Sequence, residues 1–170
     1  MRALPLVLLS ACGLTFEPYG VNTDTDAGAP CGGGLVSASE ASISFGSFYL
    51  GAQPVAAAFD PEAELSQGPA ACVRPGGGEA LWRFLIGAEY GGQVHVAADE
   101  GTYNVETLPG VQLSVEIDSP QFDQVYTFSA WTSGSLTVLG ASPFRVSGGN
   151  LNASYGATPM FINFTADATE

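Results

Sequence analysis

Lysine is absent from this 170-residue chain, and four arginines stand against seventeen acids for a formal net charge of −13. That balance excludes a nucleic-acid partner, because phosphate recognition relies on clustered Lys and Arg. It also excludes a polybasic membrane-surface protein. Histidine occurs once, at His95, so no second imidazole exists for a histidine-based zinc or iron site. Cysteine occurs three times, at Cys12, Cys31 and Cys72. What is present is an apolar fraction of 46% with ten Phe and six Tyr, too hydrophobic for a disordered chain despite the charge. The length suits one domain with a full core. The 22 Gly and 11 Pro favour many short strands and turns over long helices.

The chain opens Met1-Arg2-Ala3-Leu4-Pro5-Leu6-Val7-Leu8-Leu9-Ser10-Ala11-Cys12, one positive charge before a short apolar run that ends in small residues and a cysteine. This is the pattern of a targeting segment. The stretch Ala3 to Leu9 has seven residues, where a spanning helix needs about 20. The tetrapeptide Leu9-Ser10-Ala11-Cys12 resembles the lipobox of bacterial lipoproteins, a likeness confined to these first twelve residues. An ordinary secretory signal fits less well, because Leu9 breaks the small-x-small rule at the cut. The resemblance implies that residues 1–11 are a signal peptide removed after diacylation of the Cys12 thiol, leaving Cys12 as an anchor in the lipid bilayer. Each buried methylene of such an anchor contributes about 0.8 kcal/mol. In that family an aspartate after the cysteine favours retention at the inner membrane. Gly13 stands there, which points to the outer membrane.

Residues 12–34 include Glu17-Pro18-Tyr19-Gly20 and Gly32-Gly33-Gly34 and lack hydrophobic periodicity. Such a composition buries too little apolar area to offset its ordering entropy, so a flexible tether is expected. Asn22, Asp24 and Asp26 alternate like calcium ligands, but an EF-hand needs Gly at its sixth position and Glu at its twelfth, where Ala27 and Gly33 stand. With Cys12 set aside, Cys31 and Cys72 have one possible pairing in an oxidising compartment, and a disulfide between them is expected.

From Ala41 onward the pattern has period two. Val111, Leu113, Val115 and Ile117 alternate with Gln112, Ser114, Glu116 and Asp118, a strand with one wet face. Similar runs cover 43–50, 80–87, 93–98, 125–132, 135–139, 144–147, 150–155 and 160–166. Turn signals fall at Gly91-Gly92, Asp99-Glu100-Gly101, Pro109-Gly110, Ser133-Gly134 and Gly148-Gly149. The spacing predicts an all-β antiparallel sandwich, or alternatively a barrel, over residues 35–170. One short helical turn is expected where Asp60 caps Pro61, Glu62, Ala63, Glu64 and Leu65.

Catalytic signals are sparse. His95 lies between Val94 and Val96 on a strand, and no Gly-x-Ser-x-Gly elbow accompanies it. Glu79, Glu89, Asp99, Glu100, Asp118 and Asp123 supply material for a glycosidase-like carboxylate pair, but spacing alone assembles none. Loop acids such as Asp60, Glu62 and Glu64, or Asp118 and Asp123, are weak calcium candidates. Gly76-Gly77-Gly78 lacks the lysine of a P-loop and reads as a turn. The triplets Asn152-Ala153-Ser154 and Asn163-Phe164-Thr165 match the glycosylation pattern without implying modification in a bacterial lipoprotein. Among Trp82, Tyr90, Tyr103, Tyr126, Trp131 and Tyr155, the polar setting of Trp131 makes it the candidate for stacking on a sugar ring. The expectation is therefore a lipid-anchored envelope protein with a non-enzymatic structural or protein-binding domain, needing no cofactor, metal or catalytic residues. A polysaccharide-binding module is the alternative and a carboxylate-dependent hydrolase the remoter one.

Overall fold

Alternating residues send every second side chain to the same side of a strand, so a chain of such strands buries one face by stacking two sheets. The computed structural model describes residues 31–58, 70–86, 90–107, 111–119 and 124–170. Their strands are β1 (Val36–Ser37), β2 (Glu40–Leu50), β3 (Gln53–Pro54), β4 (Ala57–Ala58), β5 (Ala71–Val73), β6 (Glu79–Ile86), β7 (Tyr90–Ala97), β8 (Gly101–Asn104), β9 (Gln112–Ser119), β10 (Gln124–Phe128), β11 (Trp131–Ala141), β12 (Phe144–Tyr155) and β13 (Thr158–Thr169). The first sheet runs β1-β5-β6-β7-β9-β10, with β4 also paired to β6, and the second runs β3-β2-β13-β12-β11-β8. All the pairings are antiparallel. The two sheets stay separate, so the fold is a sandwich and not a barrel.

The inner faces interlock through aromatic rings. Trp82 on β6 stacks over Phe144 on β12 with centroids 6.1 Å apart, and its indole N–H donates to Asp167 O at 2.9 Å. Phe84 meets Phe45 edge-on at 4.9 Å. Satisfying a buried indole with a carbonyl from the opposite sheet keeps the ring's apolar area without an orphan donor.

The expected disulfide is present. Cys31 and Cys72 are bonded, with Cα atoms 5.8 Å apart. Cys31 is buried, and Leu35 N–H donates to Gly32 O at 3.2 Å. Cys31 is the first of the described residues. The helical turn expected at 60–65 lies outside the described residues.

Three turn assignments and one strand are corrected. Gly91 and Gly92 are not a turn but lie inside β7, paired with Leu85 and Phe84 of β6. Residues 125–132 form two strands: β10 ends at Phe128 in the first sheet, and β11 begins at Trp131 in the second. Ser133-Gly134 and Gly148-Gly149 are not turns between strands but irregular positions inside β11 and β12. An extra residue in a strand breaks the period-two pattern as a turn would, so in sequence the two look alike. At Gly134 the φ of 120° and the space both demand glycine, since a Cβ there would lie 2.7 Å from Asn150 O. At Gly148 a Cβ would sit 2.4 Å from the Phe164 ring.

Candidate functional site

In the second sheet, irregularities of three strands fall in one row, apart from a further one in β11 between Val138 and Gly140. Gly46 is an extra residue in β2, where Ser47 pairs with Asn163 but Phe45 pairs with Phe164. Gly149 and Asn150 on β12 together oppose Asn163 from the other side, between the pairs Gly148↔Phe164 and Leu151↔Ile162. β11 is irregular between Trp131 and Ser135. Bulges leave backbone groups outside the ladder, and amide side chains take them up here. Asn163 Oδ1 accepts from Asn150 N–H at 2.5 Å, and Asn163 Nδ2 donates to Ser47 Oγ at 2.6 Å. Asn150 itself is held at φ 50°, a left-handed conformation that Asn tolerates better than most residues. Asn152 Nδ2 donates to Ser133 Oγ at 2.8 Å and to Asn150 O at 3.0 Å, while Thr132 Oγ1 donates to Asn152 O at 3.2 Å.

The result is a polar seam, Ser47, Asn163, Asn152 and Ser133, crossing four adjacent strands. Tyr49 lies two residues beyond it on β2, 42% exposed, with its ring 6.3 Å from that of Phe161 on β13. Asn152 and Asn163 entered the sequence reading only through glycosylation triplets. Their amides are engaged as structural hydrogen-bonding groups along the sheet.

A second polar cluster sits on the outer face of the first sheet. Arg74 Nε donates to Glu79 Oε2 at 2.8 Å, its Nη2 bonds the same oxygen, and His95 Nε2 donates to Glu79 Oε1 at 3.0 Å. Burial alone would raise the Glu79 pKa, but the hydrogen bonds and charges of Arg74 and His95 outweigh it and hold the carboxyl below its ordinary value. Arg74 Nη2 also donates to Gly33 O at 3.4 Å, tying the start of the domain to the turn between β5 and β6. Sequence reading treated Glu79 and His95 separately. Antiparallel pairing brings them together, because Leu81 lies opposite His95 and Glu79 is its diagonal neighbour.

Trp131 does not occupy the exposed position that stacking on a ligand requires. It is buried, and its indole N–H donates to Leu113 O at 2.7 Å, so it joins the sheets as a core residue. Trp82 and Tyr126 are likewise buried, and the Tyr103 hydroxyl donates to Asp99 O at 2.9 Å. Tyr90 lies in β7. Tyr155 is 40% exposed and packs edge-on to Tyr126 at 5.6 Å. Asp118 lies near the end of β9, while Asp99 and Glu100 lie between β7 and β8 and line a small cavity with Gly76, Gly77 and Gly78. No group of three or more His, Cys, Asp or Glu positioned for a metal occurs among the described residues. Gly76, Gly77 and Gly78 form the left-handed reversal between β5 and β6, with φ of 84°, 86° and 83°. Cys12, the Asn22, Asp24 and Asp26 run, Asp60, Glu62, Glu64, Glu89 and Asp123 lie outside the described residues.

Comparison with known protein families, with curated proteins and with solved structures gives no significant match. The functional reading therefore rests on the residues and their geometry.

Proposed function

We propose that this chain is a lipid-anchored protein of a bacterial envelope, held to the bilayer, and specifically the outer membrane, through acylated Cys12, that displays a non-enzymatic β-sandwich. The observation that carries the reading is the Cys31–Cys72 bond. A structural disulfide belongs to an oxidising compartment, which agrees with the export implied by Leu9-Ser10-Ala11-Cys12 at the head of the same chain. The 19 residues from Cys12 to Cys31 would let the sandwich stand off the membrane by at most about 65 Å. Removing residues 1–11 takes Arg2 with them, so the exported form is more acidic still.

The non-enzymatic part draws on the Arg74–Glu79–His95 cluster. Both carboxylate oxygens of Glu79 are engaged, and the bonds fasten Gly33, the β5–β6 turn and β7 to one another, a cross-strand clasp in its own right. The anchor is tested by growing cells with radioactive palmitate. The protein should be labelled and found in the membrane fraction, and Cys12→Ala should carry no label. An unlabelled wild-type protein, or a labelled Cys12→Ala variant, overturns the reading.

A further inference from the structure

The outer face of the second sheet differs in charge from the molecule that carries it. Along the seam the outward residues are Ser47, Asn163, Asn152 and Ser133, with Ser44 and Thr165 on the side away from Tyr49, none of them ionisable, in a chain of net charge −13. Glu40, Arg145 and Asp167 lie at the other end of this face, where Arg145 Nε pairs with Asp167 Oδ1 at 3.1 Å, and Glu106 lies at its edge just after β8. An anionic partner is repelled by the body of the protein, and the seam residues themselves offer a cationic one no carboxylate. The chemistry that matches is uncharged and rich in hydroxyls.

The seam is also built to hold its groups still. A primary amide offers two N–H donors and two carbonyl lone pairs, and Asn163 spends one of each inside the sheet. Its remaining donor and lone pair are fixed in direction by the two that are used. Ser47 and Ser133 each accept from an amide and keep their own O–H to donate. Across four strands spaced about 4.8 Å apart these groups span about 14 Å, a length suited to an extended chain. Tyr49, exposed and braced by Phe161, supplies an aromatic surface at the end of the row. We infer that this face, from the Ser47–Asn163–Asn152–Ser133 seam to Tyr49, is a binding surface for an uncharged polysaccharide. The inference rests on the proposal of a non-enzymatic displayed domain and names its ligand class and site.

The test is native affinity electrophoresis of the full chain, purified in a non-glycosidic detergent, through gels containing a neutral β-glucan, a galactomannan or dextran, with anionic alginate as comparison. At least one neutral polymer should retard the protein and alginate should not. Tyr49→Ala should weaken that retardation about tenfold, the size of one aromatic contact of about 1.4 kcal/mol, with an unchanged melting temperature. Leu139→Ala, an exposed residue of β11 outside the seam, should behave as wild type. No retardation by any neutral polymer, retardation by alginate alone, or retention undiminished by Tyr49→Ala overturns the inference. So does a dimer, seen by sedimentation, that Tyr49→Ala dissociates without any polysaccharide effect, since the face would then serve a second copy. Palmitate labelling is read independently, so failure of the anchor and failure of this site are distinguishable.

Discussion

The Glu79 carboxylate accepts from Arg74 on one oxygen and from His95 on the other, so its protonation is tied to folding. Its folded pKa is lowered, which means the folded state favours the ionised form more than the unfolded chain does. The stabilisation is fully present above the ordinary glutamate value of about 4.3 and is lost as pH falls through that value to the lowered folded one. Arg74 is 43% exposed on its side chain, so salt screens part of the effect. Melting temperatures taken from pH 7 to pH 3 should show Glu79→Gln clearly below wild type at neutral pH, with the gap closing in acid. A gap that is constant across the range contradicts the role given to this carboxylate.

At the level of elements, Asn163 is the residue on which the second sheet turns, because β2 and β12 both bulge against it. Asn163→Ala leaves the Asn150 N–H and the Ser47 hydroxyl without their partner, and water reaches the exposed Asn150. The expected loss is about 1–2 kcal/mol. Asn163→Asp keeps the acceptor for Asn150, and the Ser47 hydroxyl can rotate to donate, so its loss should be less than half as large. Urea midpoints at unchanged slope separate the two, and equal losses refute the hydrogen-bonding account. These same bulges explain where sequence reading succeeded and failed. Regular strands such as β9 were legible because Leu113, Val115 and Ile117 alternate without interruption. The seam was not, since an inserted residue beside glycine has the same local signature as a hairpin turn. Trp131 was misplaced for a related reason: its polar neighbours suggest a surface, while the crossing from β10 to β11 carries its ring between the sheets. No signal in one chain pairs Glu79 with His95, because strand register is set by the fold.

For the whole molecule, the Cys31–Cys72 bond closes a separation of 41 residues, worth about 4 kcal/mol on the chain-entropy model. It fixes to the edge of the first sheet the point at which the chain from Cys12 arrives. The uncharged seam lies on the outer face of the other sheet. The pairing of Cys31 with Cys72 was legible because only two cysteines remained once Cys12 was set aside. The central claim is that the chain begins, after export, at an acylated Cys12. Mass spectrometry of the amino-terminal peptide of protein isolated from bacterial membranes tests it most directly. The account predicts a peptide that starts at Cys12 and carries the added mass of a diacylglyceryl group, whereas an unmodified Cys12 or a start at any other residue would contradict it.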